Sequence, residues 1–127
     1  MMDAQLISKL QEVHVAAWNE KEHAKRESLL KIIYAEDINM YDKDFILQGI
    51  PAISDFIEEL QKDPEFNFSA AKPIELTQNG ARLYGHIRTG QGMLNSMDFF
   101  ILENEKALHL YVFMDAGWTE QVRPNWR

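Results

Sequence analysis

The chain has 127 residues, 46% of them apolar and 26% charged, with 20 acidic side chains against 13 basic ones and a formal net charge of -7. Residues 1–65 hold 14 acids and 7 bases, and residues 66–127 hold 6 of each, so the acidic surplus sits entirely in the first half. Without clustered Lys and Arg the chain has no means of gripping nucleic acid by counterion release, and it is poorly suited to an anionic membrane. The length fits one folded domain, 1–127, able to bury roughly two-thirds of its unfolded surface. Cysteine is absent, which removes disulfides, thiolate metal sites and cysteine nucleophiles. No apolar run approaches the roughly 18 residues of a membrane span. Met1-Met2-Asp3-Ala4-Gln5 lacks the basic and apolar segments of a secretory signal. A cytosolic protein is expected.

The first half reads as helical. From Asp3, apolar residues recur at Leu6, Leu10, Val13 and Ala17, with Ile7, His14 and Trp18 flanking the same stripe. Asn19 to His23 is a polar break, and a second helix carries Leu29, Leu30, Ile33 and Tyr34. Ile38 to Asp42 alternates as a short strand does. Gly49-Ile50-Pro51 then opens a third helix, proline being well placed in a first turn, and Ile53, Phe56, Ile57 and Leu60 form its apolar face.

The second half reads as sheet. Phe66 to Leu76 holds one or two strands interrupted by Lys72-Pro73, and Asn79-Gly80 predicts a hairpin. Ala81 to Arg88 alternates, Gly90-Gln91-Gly92 turns, and Met93 to Leu102 forms a long strand. Glu103 to Lys106 turns again before a last strand from Ala107 to Met114. The tail from Glu120 to Arg127 is polar apart from Val122 and Trp126. Helices followed by an antiparallel meander give an α+β fold.

Most catalytic signatures are missing. Of His14, His23, His86 and His109, no pair has the three- or four-residue spacing of helical metal ligands, so no metal site is expected. Gly90-Gln91-Gly92 lacks the lysine and the strand-to-helix setting of a phosphate loop. No serine sits on a nucleophile elbow. Two carboxylates remain. Asp98 interrupts the apolar run Met97, Phe99, Phe100 and Ile101. Buried there it would tend to stay protonated and donate a hydrogen bond; otherwise it faces solvent or pairs with Arg82 or Arg88. Asp42 ends a strand at Tyr41-Asp42-Lys43-Asp44, where an acid is also an ordinary turn residue. His14 reads as a half-buried surface histidine.

Two stretches carry a family likeness. Tyr34-Ala35-Glu36-Asp37-Ile38-Asn39-Met40-Tyr41-Asp42, followed by Gly49-Ile50-Pro51-Ala52-Ile53, resembles the nuclear transport factor 2-like superfamily. Asp98 and the hairpin to Ala107-Leu108 match the same pattern. Trp18-Asn19, with Arg26 ahead of Leu29-Leu30, resembles its polyketide-cyclase-like (SnoaL-like) branch. The resemblance spans nearly the whole chain. It implies a cone-shaped roll, with three helices on a strongly curved antiparallel sheet around an apolar pocket, and a tendency to form homodimers through the sheet.

The resemblance also implies roles. Asp42 falls where ketosteroid isomerase keeps its general base, and Asp98 where it keeps an acid held neutral to bind an oxyanion. Tyr34 matches a tyrosine of the supporting network. The oxyanion tyrosine of the first helix is missing, Trp18 being the nearest large residue, and Ile57 replaces a further network tyrosine. Losing an oxyanion donor costs about 10²–10³ in rate, which argues against steroid isomerisation. The pair still suits cofactor-free proton transfer on an apolar carbonyl compound, as in isomerases, cyclases and dehydratases. A non-catalytic ligand-binding or dimerisation module is the alternative.

By analogy Tyr111, Phe113 and Asp115 face into the cone, with plain sheet packing as the alternative. Tyr84 and His86 face either the pocket or a dimer partner. Trp18, Met40 and Phe56 serve as core, as ligand contacts, or both.

Overall fold

The computed structural model describes residues 4–115, the side chain of residue 115 excepted. Helix α1 (Ala4–Asn19) buries Leu10, His14, Ala17 and Trp18, one stripe at helical spacing. Helix α2 (His23–Ile33) passes into strand β1 (Tyr34–Tyr41) with no linker, because Tyr34 itself adopts extended backbone (φ -108, ψ 142). A short hairpin leads to β2 (Ile46–Gln48), closed by the Asp42 N–H donating to the Phe45 carbonyl at 2.9 Å. Gly49 then takes φ 89, a backbone conformation that favours glycine, and its N–H donates to the Ile38 carbonyl at 2.7 Å. That kink starts α3 (Ile50–Leu60), with Pro51 in its first turn and Ile50, Ile53, Ser54 and Ile57 buried.

The remaining strands are β3 (Asn67–Ala70), β4 (Glu75–Thr77), β5 (Gly80–Thr89), β6 (Gly92–Glu103) and β7 (Lys106–Asp115). The sheet runs β2-β1-β7-β6-β5-β3, with β4 also pairing β5. It is mixed rather than antiparallel throughout, since β1 lies parallel to β7. About half of the chain separates those two strands, so no tight turn forces them into a hairpin. The β4–β5 turn falls at Gln78-Asn79, one residue earlier than expected, because Gly80 already pairs with Thr77.

Leu83, Asp98 and Val112 lie side by side across β5, β6 and β7, and this row belongs to the sheet's inner face. The core sits between that face and the helices, around Leu30, Ile33, Ile38, Ile53, Phe100 and Leu110. Gly85 makes the close approach possible. A Cβ there would lie 2.8 Å from both the Phe68 ring and Ser96 Oγ, so glycine lets β3's aromatic side chain rest on the sheet.

Two polar clamps fix the helices. Arg26 is fully buried; its Nε donates to Ser54 Oγ (2.8 Å), Nη1 to the Glu20 carbonyl (2.9 Å) and Nη2 to Glu58 Oε1 (2.8 Å). Asn19 docks the end of α1 on β3, accepting from the Phe68 N–H and donating to the Phe68 carbonyl, each at 2.8 Å. No helix among the described residues is long and apolar enough to cross a membrane.

Candidate functional site

A cavity of about 310 Å³ lies between α1, α3 and the inner face of the sheet. That volume is at the lower end for small-molecule sites. Trp18, Phe56, Phe66 and Phe68 give it aromatic walls, and Met40, Leu60, Ile87, Leu94, Val112 and Met114 complete the apolar lining. Its polar lining is sparse and of one sign: Asp42, Glu59, Asp63 and Asp98, with Thr89.

Asp98 is only 5% exposed and sits at the end of a run of buried hydrogen bonds. Trp18 Nε1 donates to Tyr34 Oη at 3.0 Å; Tyr34 Oη lies 2.7 Å from His14 Nδ1; His14 Nε2 lies 2.9 Å from Asp98 Oδ2. Trp indole only donates, so Tyr34 Oη is the acceptor in the first of these bonds. Tyr34, fully buried and already accepting from Trp18, must place its own proton, and His14 Nδ1 is the acceptor within reach. His14 is then the neutral tautomer with its hydrogen on Nε2, and that hydrogen is donated to Asp98 Oδ2. Burial pushes the Tyr34 hydroxyl well above the ordinary tyrosine range, the Trp18 hydrogen bond opposes that, and the charge on Asp98 adds to it, so Tyr34 keeps its proton. Asp98 Oδ1 has no hydrogen-bond partner among the described residues and is not among the sealed, unpartnered atoms. It is the oxygen left to the cavity.

His14 is thus a correction to the expectation of a half-buried surface histidine. It is wholly buried, with edge-on contacts to the rings of Phe68 (5.5 Å) and Phe100 (5.0 Å). Asp98 likewise does not pair with Arg82 or Arg88. Arg82 is bound to Glu75, with Nη2 2.6 Å from Glu75 Oε1.

Of the expected site residues, Asp42, Asp98, Trp18, Met40 and Phe56 all line the cavity. Tyr34 does not line it, and acts one step behind as the hydrogen-bond partner of Trp18 and His14. Tyr111 and Phe113 are corrected to the outer face of the sheet, because Leu110, Val112 and Met114 occupy the inner positions of β7. Tyr111 stacks on Tyr41 with ring centroids 4.4 Å apart, and Phe113 is 57% exposed. Tyr84 and His86 also point outward, since Leu83 and Ile87 hold the inner positions of β5. His86 Nδ1 lies 3.3 Å from Asn95 Oδ1 there, and Lys72 and Arg82 sit over the Tyr84 ring. The Asp115 side chain lies outside the described residues.

Asp42 has a structural task as well, since its Oδ1 accepts the Asp44 N–H at 3.1 Å inside the β1–β2 turn. Asp63 was not anticipated from sequence. It accepts the N–H groups of Gly90 (2.8 Å) and Glu65 (2.9 Å), which hold its carboxyl below the ordinary range and tie α3 to the β5–β6 turn. Away from the cavity, His23, Asp55 and Glu58 bring three exposed ligand atoms within 4.8 Å of one another. The Arg26 guanidinium already occupies Glu58 there, so this group is a poor place for a cation.

The sequence matches no family model and no curated relative. Solved structures do match. A SnoaL-like family protein from Agrobacterium tumefaciens shares 23% identity and a TM-score of 0.76 over 87% of this chain and 98% of its own. A nuclear transport factor 2-like protein from Cytophaga hutchinsonii superposes with a TM-score of 0.66 at 16% identity, covering 100% of this chain and 97% of its own. The chain has the SnoaL-like, nuclear transport factor 2-like fold. A protein with a ketosteroid isomerase-like fold from Catenulispora acidiphila, solved in complex with trimethylamine, matches with a TM-score of 0.67 at 10% identity, over 88% of this chain and 86% of its own.

Likenesses at this level fix the architecture and leave the chemistry to the residues. The Trp18 N–H is taken by Tyr34, and the Thr89 hydroxyl donates to the Gly92 carbonyl at 2.8 Å. Among the described residues, the side chains of the cavity wall offer acceptors rather than free donors.

Proposed function

We propose that this chain is a small-molecule pocket protein whose reactive group is Asp98 Oδ1, oriented by His14 for cofactor-free acid–base chemistry of the isomerase, cyclase or lyase type. The observation that carries this reading is the unbroken run of buried hydrogen bonds from Trp18 through Tyr34 and His14 to Asp98. It fixes one carboxylate oxygen with a buried donor and leaves the other to the cavity. A carboxylate that already accepts from a neutral histidine is suited to receive a proton from a substrate. Asp98 therefore takes the base's part rather than that of an acid donating to an oxyanion. Asp42, at the cavity wall with one oxygen in its own turn, is the second carboxylate and the group to return a proton. With an apolar carbonyl compound, Asp98 would remove the proton beside the carbonyl and Asp42 in its acid form would face the developing enolate oxygen.

One observation favours a second reading, a non-catalytic ligand-binding pocket. Apart from Asp42 in its acid form, the described lining has no uncommitted side-chain donor for an enolate, and losing one such donor costs about 10²–10³ in rate. A probe that needs only a base separates the two. Ring opening of 5-nitrobenzisoxazole is driven by proton removal and releases a coloured phenolate. The acid–base reading expects acceleration over acetate at matched pH, falling by about 10²-fold or more in Asp98→Asn. Equal rates for wild type and Asp98→Asn would leave only the binding reading. The proposal also includes a cytosolic protein and a homodimer packed through the outer sheet face, where Phe113 and Met93 are exposed. Light scattering of Phe113→Glu beside wild type tests the dimer.

A further inference from the structure

We infer that the cavity takes an organic cation, a protonated amine on a compact apolar body, with the ammonium directed at Asp98. This rests on the pocket reading above and names the class of molecule it admits. The described lining includes four carboxylates and no Lys, Arg or His side chain. The groups that satisfy three of the four are neutral: His14 Nε2–H on Asp98, the Asp44 N–H on Asp42, and the N–H groups of Gly90 and Glu65 on Asp63. Neutral donors fill lone pairs without cancelling charge. Glu59 alone has a cationic partner, the exposed Lys62 at 3.0 Å.

Charge of one sign against low-dielectric walls focuses potential into the space between them. A neutral ligand gains nothing from that field, an anion is repelled, and a cation is drawn inward. The walls suit the same ligand. Trp18 and Phe56 meet edge to face with ring centroids 6.2 Å apart, and with Phe66 and Phe68 they offer aromatic surface to alkyl groups next to a positive nitrogen. Asp98 supplies the one directed contact. It is 5% exposed, its Oδ2 is engaged by His14, and its Oδ1 has no partner among the described residues. An ammonium N–H completes it without needing any donor from the wall.

Titration of the full chain, followed by the amide signals of β6 and β7, tests this with three probes of similar size at neutral pH and low salt. N,N-dimethylbenzylamine is a cation, isobutylbenzene its uncharged isostere, and phenylacetate an anion. The amine is expected to bind at least about tenfold tighter than isobutylbenzene, with no saturable binding of phenylacetate. In Asp98→Asn, which keeps an acceptor for His14, the amine falls to within about threefold of isobutylbenzene while isobutylbenzene itself is unchanged. High salt weakens the amine and spares the hydrocarbon. Isobutylbenzene binding as tightly as the amine, or an amine affinity unchanged in Asp98→Asn, overturns the cation preference while leaving the pocket. Failure of all three probes to bind overturns the pocket reading as well. If Asp98→Asn does not fold, the wild-type ratio of amine to isobutylbenzene decides alone.

Discussion

Replacing Tyr34 by phenylalanine removes one oxygen from the middle of the buried hydrogen-bond run and nothing else. Two groups are then stranded. Trp18 Nε1–H loses its acceptor at 3.0 Å, and His14 Nδ1 loses its donor at 2.7 Å. Both residues are buried, so water cannot substitute. A buried polar group left unsatisfied costs about 1–3 kcal/mol, and phenylalanine preserves the ring's volume, so a loss of about 2–4 kcal/mol is expected. For a domain whose total stability is about 5–15 kcal/mol that is a large share. Urea unfolding reads it as a lower midpoint at unchanged slope. Tyr84→Phe, on the outer sheet face, is the matched control and should stay within about 0.5 kcal/mol of wild type. A Tyr34→Phe loss no larger than the control's would refute the run of hydrogen bonds as drawn.

Three further outcomes follow from the same geometry. Arg26→Met should cost about 3 kcal/mol in urea unfolding, because Ser54 and the Glu20 carbonyl lose a buried donor, and a near-neutral result would show that the clamp is dispensable. Asp63 is held below its unfolded value of about 3.9, so its contribution is present above that pH and is lost as pH falls through the lower folded value; Asp63→Ala should flatten the acid limb of the stability–pH curve, and an unchanged limb would count against the Gly90 and Glu65 hydrogen bonds. Tyr34 is held above its unfolded value of about 10, so its contribution is intact below that pH and is lost as pH rises toward the folded value; alkaline destabilisation should be shallower in Tyr34→Phe than in wild type.

Much of the site was legible because its residues break local patterns. An acid inside Met97 to Ile101 advertises a reason to be there, and Asp42, Trp18, Met40 and Phe56 sit where the strand and helix periods turn them inward. His14 was not legible. A single histidine on a helix flank has no local partner, and the residue that explains it is 84 positions away. The inner and outer faces of β5 and β7 were not fixed by analogy, although the side chains carried a usable signal. The row of Tyr84 and His86 includes Arg82 and Arg88, and two arginines on one row argue for an outer face. On β7 the aliphatic row of Leu110 and Val112 is the one a core accepts, and the polar tips of His109 and Tyr111 belong outside. The parallel β1–β7 pairing joins strands from opposite halves of the chain, which no local pattern records. Asp63 was hidden for the same reason, since it lies in the α3–β3 loop and its partner Gly90 in the β5–β6 turn.

The tautomer of His14 is the most direct test of the claim that Asp98 keeps a free oxygen for the cavity. Long-range proton–nitrogen correlation NMR distinguishes the two ring nitrogens. The account predicts a neutral imidazole with its hydrogen on Nε2 and an accepting Nδ1 at neutral pH. A hydrogen on Nδ1, in either the neutral or the doubly protonated ring, would reverse the run from Tyr34 and contradict the role given to Asp98.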